Sequence, residues 1–312
     1  MSTRDKPEGA ASAAGAIRFR VRHVTDYRYQ TSVVLAHHLL HLKPRVASLQ
    51  TNTAQRIMIT PKPLVTAEHE DCFGNPATYI AIQEPHVGLT IESELEVERK
   101  PPVAIDLAAT PAWETLRDKL GVAAERSARL AAAFAYSSPR IASSPAIRAY
   151  AASSFVPGRP IGVAASALMK RIHDEFIFDP SATTISTPVD QVLAARRGVC
   201  QDFAQLQIAC LRSLGLPARY VSGYLRTEAP DGGPRLQGAD ASHAWLSVWC
   251  GGDLWLDLDP TNDQLVGSDY VTLAWGRDYD DVSPVRGVLF GGGANHLTVR
   301  VDVEPIVSVK DA

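Results

Sequence analysis

The sequence of 312 residues has no long apolar run and no large excess of charge of either sign. No stretch approaches the ~18 consecutive apolar residues of a membrane span, and the opening MSTRDKPEGAASAAGA lacks the leucine-rich centre of a signal peptide. The formal net charge of -3 offers nucleic acid no broad basic face. These absences predict a cytoplasmic protein that has neither a membrane nor a nucleic acid as its partner.

The sequence also lacks the short motifs of metal, nucleotide and dithiol sites. It has no H-E-x-x-H, no G-x-x-x-x-G-K and no G-x-G-x-x-G after a strand. His37, His38 and His41 form H-H-x-x-H without an evident acidic fourth ligand, which favours packed or solvated histidines. The four cysteines form no C-x-x-C pair, which predicts free thiols in a reducing compartment. These cysteines are Cys72, Cys200, Cys210 and Cys250. We therefore expect no metal site and no cofactor.

Length and patterning predict an α+β protein with two domains, because single cores usually stop growing near ~250 to 300 residues. Short runs before Pro101 alternate apolar and polar residues, as antiparallel strands do, and alanine-rich helical spacing follows. The predicted parts are a disordered tail over 1–15, an N-terminal antiparallel β domain over 16–105, an α+β core with leading helices over 106–285, and a C-terminal strand segment over 286–312. This last segment alternates like the first domain and is a candidate to pair with its sheet.

The α+β core is predicted to begin with three helices and to end in a sheet. The three helices span Glu125–Tyr136, Pro145–Ser154 and Gly162–Phe176. A fourth helix starts near Thr187, and Gly198 separates it from a fifth that begins at Cys200. The strand-like runs ARYVSGYLR, SHAWLSVWC and LWLDLDP follow, with a Gly-Gly turn between the last two.

Cys200, His243 and Asp259 form a candidate nucleophile, base and orienting acid. Cys200 begins a helix, where unpaired backbone N–H groups and the helix dipole favour a thiolate. His243 lies in a following strand, and Asp259 ends the strand after it. A hairpin brings two such strands to about 5 Å from each other, close enough for a hydrogen bond between imidazole and carboxylate. This order of residues predicts thiol catalysis.

Each member of the set also has an ordinary structural interpretation. A single cysteine on an apolar helix usually packs, a histidine in a strand is usually structural, and an Asp-Pro-Thr is usually a turn. The ordered set of all three is much harder to obtain by accident. The neighbouring Arg196-Arg197 could add positive potential, but the solvated end of a helix is the favoured interpretation.

Three stretches, GVCQDFAQL, ASHAWLSVW and WLDLDPTN, resemble the core motifs of transglutaminase-like cysteine enzymes. In addition, RHVTDYRYQTSV resembles the start of a bacterial N-terminal domain that is often fused to this core, and GRDYDDVSPVRG resembles a segment that follows it. The resemblance implies a papain-like or transglutaminase-like α+β core behind an N-terminal β domain. Matched residue by residue, it implies Cys200 as nucleophile, His243 as general base and then acid, and Asp259 as its orienting partner.

Further residues near these motifs are candidates for lining or supporting the site. Gln205 stands where such bacterial proteins commonly carry a histidine, and Ser247 where an acidic residue often follows HAW. Gln205 is a candidate for substrate binding, with packing as the favoured interpretation. Tyr224 and Trp245 are candidates for framing a substrate channel, with core packing as the alternative. Asp202 is a candidate for a supporting hydrogen bond or, as favoured, for stabilising the helix start.

Together these features predict acyl transfer from the amide bonds of a peptide or protein substrate. Cys200 attacks the carbonyl, His243 protonates the departing amine, and a thioester forms. Hydrolysis of peptide or isopeptide bonds is favoured over transfer to an amine because water is the most abundant acceptor. The alternatives are a protein-glutamine transglutaminase and a noncatalytic peptide-binding module with the same fold. The oligomeric state stays open.

Overall fold

The computed structural model describes residues 15–122, 125–227 and 242–306. The predicted disordered tail therefore lies outside the described residues, except for residue 15. The strands are β1 (Ile17–Leu40), β2 (Gln50–Thr60), β3 (Val65–Glu70), β4 (Pro76–Ile82), β5 (His86–Arg99), β6 (Ile177–Phe178), β7 (Arg197–Gly198), β8 (Ala218–Leu225), β9 (Ser242–Trp249), β10 (Trp255–Asp259), β11 (Gln264–Leu265), β12 (Tyr270–Gly276), β13 (Val285–Gly291) and β14 (Asn295–Pro305). The helices are a 3-10 turn (Leu107–Ala109), α1 (Trp113–Val122), α2 (Arg126–Ala132), α3 (Pro145–Ala152), α4 (Ile161–Glu175), α5 (Val189–Ala195), α6 (Cys200–Ser213) and α7 (Tyr279–Val282).

The first sheet is built around β1, whose 24 residues pair with four other strands. Its order is β2-β5-β1-β4-β3, and β13 and β14 also pair with β1, all antiparallel. Strand β14 runs beside the stretch 19–29 of β1, and β13 runs beside the stretch 33–40. The side chains of β1 follow the predicted alternation, since Phe19 and Val21 are fully buried while Arg20 reaches across to Glu96 on β5. The C-terminal segment thus pairs with the strand that opens the chain.

The helices surround α6, which is buried along almost its whole length. Helices α3, α4 and α5 cover one side of α6, and strands β8 and β9 cover the other. A helix covered on all sides carries apolar residues all round, as α6 does in Phe203, Leu206 and Ile208. Three of the predicted helices correspond to α2, α3 and α4, although α2 is shorter, and α1 was not predicted. Of the helices that the structure describes, none is long and apolar enough to cross a membrane.

The second sheet is antiparallel, with the order β11-β10-β9-β8-β12. Strands β8, β9 and β10 correspond to the three strand-like runs after the predicted fifth helix. Gly251 and Gly252 both have positive φ, which suits the tight turn between β9 and β10. The motifs that carry the candidate catalytic residues therefore lie on α6 and on two neighbouring strands.

The first sheet is attached to the edge strand β12 of the second sheet by side-chain amides. Gln50 donates from Nε2 to the carbonyl of Thr272 at 2.8 Å and accepts from the N–H of Thr272 at 2.9 Å. Asn75 makes the same pair of bonds with the backbone of Trp275, at 2.8 and 3.0 Å. The guanidinium of Arg45 stacks on the Trp275 ring, 3.0 Å from its centroid. The predicted architecture, a β domain followed by a transglutaminase-like α+β core, is confirmed.

Candidate active site

A buried carboxylate holds the helix start on which Cys200 stands. Helix α5 ends where Arg196 adopts a left-handed conformation (φ 56), and α6 begins after the extended residue Val199. Asp202 accepts hydrogen bonds from the N–H of Val199 (2.8 Å) and from the hydroxyl of Thr183 (2.6 Å). Burial raises the pKa of Asp202, and these two bonds act against that rise. Asp202 therefore satisfies the first turn of α6 and complements its dipole.

Gly198 leaves the room that this carboxylate occupies. An ideal Cβ on Gly198 would lie 2.6 Å from Oδ2 and 2.8 Å from Cβ of Asp202. Both distances are shorter than real Cβ atoms show, so a side chain at position 198 displaces Asp202. The glycine before the nucleophile is thus needed for the local geometry of the helix start.

His243 and Asp259 are joined across neighbouring strands, with Nε2 of His243 2.7 Å from Oδ2 of Asp259. Strands β9 and β10 pair Leu246 with Leu258. Continuing this register places Asp259 opposite Trp245 and diagonal to His243. Diagonal neighbours on one face lie about 7–8 Å apart, a gap that an imidazole and a carboxylate can bridge. The hairpin therefore brings the two predicted residues together.

The carboxylate of Asp259 is fully buried and accepts hydrogen bonds from several groups besides His243. Its Oδ2 accepts from the hydroxyl of Tyr270 and from the amide of Asn262, each at 2.7 Å. Its Oδ1 accepts from the N–H of Thr261 at 2.9 Å. Burial alone would raise the pKa of Asp259, but the hydrogen bonds and the charge of His243 together lower it. The carboxylate is thus kept ionised and fixed in position.

The imidazole of His243 lies between Asp259 and Cys200. Burial lowers the pKa of His243, but hydrogen bonds with the side chains of Asp259 and Cys200, and the negative charges there, raise it to about 10. Because Nε2 is bonded to Asp259, Nδ1 is the ring nitrogen left for the thiol. A pKa of this size keeps the imidazole protonated at neutral pH, so a proton donor lies beside the thiol of Cys200.

Cys200 and His243 line a cavity of 470 Å³ between the two sheets, which we call the active-site cavity. One side is formed by the start of α6 and by β8 and β9, including Tyr220 and Ser222. The other side is formed by β1, β14 and the start of β13. This volume lies within the range of about 300–1,000 Å³ that is typical of ligand sites.

Among the residues that the structure describes along this cavity, Tyr224, Trp245 and Gln205 do not appear. Trp245 lies on the same face of β9 as His243, with the two ring centroids 6.2 Å apart, and its ring packs edge-on against Tyr270 at 5.3 Å. Tyr224 is fully buried, and Gln205 is buried within α6. This placement does not support the substrate-channel role considered for the three residues and agrees with core packing.

Sequence reasoning did not identify Tyr270, Asn262 and His23 as parts of the site. Asn262 belongs to the DPTN motif, so its position three residues after Asp259 was an available signal. Tyr270 opens an apolar strand without a motif and reaches Asp259 only through the folded sheet. His23 lies 201 residues before Tyr224, whose hydroxyl it meets at 2.8 Å, and lines the cavity only because the two sheets pack together.

The other thiols and the N-terminal histidine cluster lie apart from the cavity. Cys210 and Cys250 are buried, and burial raises the pKa of each thiol to about 12, whereas Cys72 is exposed. His37 and His41 form hydrogen bonds within the protein. In the described ranges, no group of three or more His, Cys, Asp or Glu residues is arranged to hold a metal ion.

Two family profiles match the chain, the bacterial transglutaminase-like N-terminal region over residues 19–98 and the transglutaminase-like superfamily over residues 151–260. An uncharacterised protein of Mycobacterium tuberculosis is 43% identical over 300 residues, which are 94% of each chain. The chain belongs to the bacterial transglutaminase-like family. The resemblance predicted from the three core motifs is thereby confirmed. The second matched region contains Cys200, His243 and Asp259.

Three further proteins are similar to this chain in sequence or in fold. An uncharacterised protein of Mycobacterium leprae is 32% identical over 289 residues, which are 92% of this chain and 98% of that one. The protein-glutamine gamma-glutamyltransferase of Pseudomonas aeruginosa is 33% identical over 106 residues, which are 33% of this chain and 16% of that protein. The crystal structure of a candidate cysteine protease from Cytophaga hutchinsonii has a TM-score of 0.74 at 20% identity, covering 95% of this chain and 92% of that one.

Proposed function

We propose that this transglutaminase-like protein is a cysteine-nucleophile enzyme that transfers acyl groups from the amide bonds of peptides or proteins. The position of His243 carries the proposal, because its ring has Asp259 at Nε2 and the thiol of Cys200 as its other partner. Together the three residues supply a nucleophile, a proton donor and acceptor, and an orienting carboxylate. Their common place in the matched core region supports the assignment.

The proposed reaction proceeds through a thioester on Cys200. The thiolate attacks the amide carbonyl, and the tetrahedral oxyanion is stabilised by backbone N–H groups at the start of α6, which have no partner within the helix. His243 gives its Nδ1 proton to the departing amine as the C–N bond breaks. Water then attacks the thioester while Nδ1 accepts a proton from it. The C–S bond breaks, and the acid product and the free thiolate–imidazolium pair are regenerated.

We favour water as the acyl acceptor, so that peptide or isopeptide bonds are hydrolysed. Water is the most abundant acceptor at a partly exposed thiol such as Cys200. Transfer to an amine is the second candidate, and one observation favours it: the Pseudomonas relative that matches a third of this chain is named protein-glutamine gamma-glutamyltransferase. Both reactions share the same thioester, so the acceptor decides between them.

Turnover of a library of peptidyl aminomethylcoumarins, including γ-linked glutamyl amides, tests the proposal. Wild type should release the fluorescent amine, and Cys200→Ala should remain folded and lose at least about 1,000-fold in rate, as loss of a triad nucleophile does. Equal turnover in Cys200→Ala would contradict the proposal. Specific peptide binding by both proteins, without turnover by either, would favour the noncatalytic binding module.

Isotope labelling distinguishes the two acceptors. In H₂¹⁸O, hydrolysis places one ¹⁸O atom in the product carboxylate, which is detected by mass spectrometry. In the presence of monodansylcadaverine, transfer instead gives a dansylated amide without that ¹⁸O atom. A product that is predominantly the dansylated amide at millimolar amine would replace the hydrolase assignment with that of a transglutaminase.

A further inference from the structure

One wall of the active-site cavity is a continuous face of the first sheet. Strands β1 and β14 form three successive cross-strand pairs there: Tyr27 with Leu297, Thr25 with Val299, and His23 with Val301. All six residues line the cavity. Residues two apart on a strand share one face of the sheet, so these pairs form a single surface that we call the β1–β14 wall.

The apolar side chains of the β1–β14 wall run from the closed core into the open cavity. Val301 is buried and packs in the cluster that contains Tyr224 and Val271. On the same face of β14, Val299 and Leu297 are 46% and 47% exposed. Half-exposed apolar side chains within a concave site are typical of a surface that binds an apolar group.

Two polar side chains of the β1–β14 wall, His23 and Thr25, are bonded to each other. The ring of His23 has Nδ1 2.8 Å from the hydroxyl of Tyr224 and Nε2 2.9 Å from the hydroxyl of Thr25. Burial lowers the pKa of His23 to about 4, so the ring is uncharged at neutral pH. Of the lining residues that the structure describes, none is Asp, Glu, Lys or Arg. The charge in the cavity is thus confined to the Cys200–His243 pair, and a charged side chain held against the wall itself would lose hydration without gaining a partner of opposite charge there.

We propose that the β1–β14 wall is the subsite for the side chain of the acyl donor, and that it takes an uncharged apolar side chain, aliphatic or aromatic. The inference rests on the proposed function, since Cys200 must attack the carbonyl of that donor. The wall and the Cys200–His243 pair line the same cavity of 470 Å³, so the wall belongs to the space that a donor bound at the thiol enters. The first sheet, through β1 and β14, thereby contributes to specificity in addition to supporting the core.

Affinity labels that differ in one side chain test the proposal without a known substrate. In acetyl-Ala-X chloromethyl ketones, the thiolate forms a C–S bond and chloride leaves, so each labelled cysteine is counted by peptide mapping. With X as Leu, Phe, Asp or Lys, and each rate divided by that of the same probe with glutathione, we expect Cys200 to react with the Leu and Phe probes at least about tenfold faster than with the Asp and Lys probes.

Substitutions in the wall should change this preference in a predictable direction. Leu297→Arg should lower the ratio of the Leu rate to the Asp rate at least about tenfold, because it adds a charge complementary to Asp. Val299→Thr keeps the shape of the side chain and should lower the ratio by a few-fold. Val288→Arg is the matched control, since Val288 is 65% exposed on β13 and does not line the cavity, and its ratio should stay within about twofold of wild type. A variant that misfolds would react slowly with both the Leu probe and the Asp probe, whereas a change in the subsite alters the ratio of the two rates.

The possible outcomes separate this inference from the proposed function. Preference for Leu and Phe that falls in Leu297→Arg and not in Val288→Arg supports the apolar subsite. Equal labelling by all four probes, a preference for Asp or Lys, or an unchanged ratio in Leu297→Arg overturns it while leaving the cysteine enzyme intact. If Cys200 reacts with iodoacetamide no faster than the exposed Cys72, the proposed function fails, and the subsite fails with it.

Discussion

Removal of the Tyr270 hydroxyl tests how much the hydrogen bonds to the buried carboxylate of Asp259 contribute to the stability of the protein. Tyr270→Phe deletes one of three hydrogen bonds to Oδ2, the others coming from His243 and Asn262. A hydrogen bond to a charged group contributes about 1.5–3 kcal/mol, and the partner here is fully buried, so water does not replace the lost donor. We expect the free energy of unfolding at pH 7 to fall by about 1.5–3 kcal/mol.

The sign of the pH dependence follows from the lowered pKa of Asp259. A lowered folded-state pKa stabilises the protein above the ordinary pKa of an aspartate, and this contribution is lost as pH falls through the folded value. The variant raises the pKa of Asp259 towards its ordinary range and so loses part of that contribution. The difference in stability between wild type and Tyr270→Phe should therefore shrink below about pH 4.

Urea unfolding followed by circular dichroism measures both effects, with Tyr79→Phe as the comparison. Tyr79 lies in the first sheet, and its hydroxyl bonds the ring of His37 at 2.5 Å, with no carboxylate involved. A typical hydrogen bond within a protein contributes about 0.5–1.5 kcal/mol, so this variant should lose less. A Tyr270→Phe protein that unfolds within 0.5 kcal/mol of wild type at pH 7, on the order of an ordinary surface substitution, would refute the reasoning.

Three further outcomes follow from the same contacts. Gly198→Ala should lower the unfolding temperature by several degrees, because the added Cβ would lie 2.6 Å from Oδ2 of Asp202. Gly276→Ala cannot serve as a control, because its Cβ would lie 2.5 Å from Cβ of Asp281. The stability difference between wild type and His243→Ala should be largest below about pH 6.5 and should shrink as pH rises through about 10, which urea titrations at pH 6 and pH 10.5 measure. Cys210 and Cys250, whose thiol pKa values are raised to about 12, should stay unlabelled by iodoacetamide at pH 8 in the folded protein.

The sequence predicted those parts of the site that sit in motifs or at element ends. The helix start at Cys200 and the hairpin between His243 and Asp259 are local features, and the structure brings them together. Tyr270 could not be predicted, because its bond to Asp259 depends on the order of strands in the second sheet. Trp245 was considered for a channel because it is a sequence neighbour of His243, but its ring packs against Tyr270, a contact that depends on how the strands fold together.

Longer-range features of the fold were predicted less completely for the same reason. Alternation predicted short antiparallel strands in the first domain, whereas β1 is a single strand of 24 residues that passes between different partners along its length. The β1–β14 wall joins residues 23–27 to residues 297–301. Alternation made the C-terminal segment a candidate to pair with the first sheet, but it does not predict the partner strand or the register. Ser247 stands where an acidic residue often follows the HAW motif. Its hydroxyl donates to the carboxylate of Asp257, which lies opposite it on the neighbouring strand β10, so an acidic side chain is present beside this position.

The pH dependence of iodoacetamide labelling, read at each cysteine by peptide mapping in wild type and in His243→Ala, tests the central claim most directly. We expect Cys200 to be labelled well below pH 8 and faster than the exposed Cys72, and to lose that advantage in His243→Ala, because the imidazolium stabilises the thiolate. Labelling of Cys200 that follows that of Cys72 across the whole pH range, or that is unchanged in His243→Ala, would contradict the assignment of a thiolate–imidazolium pair.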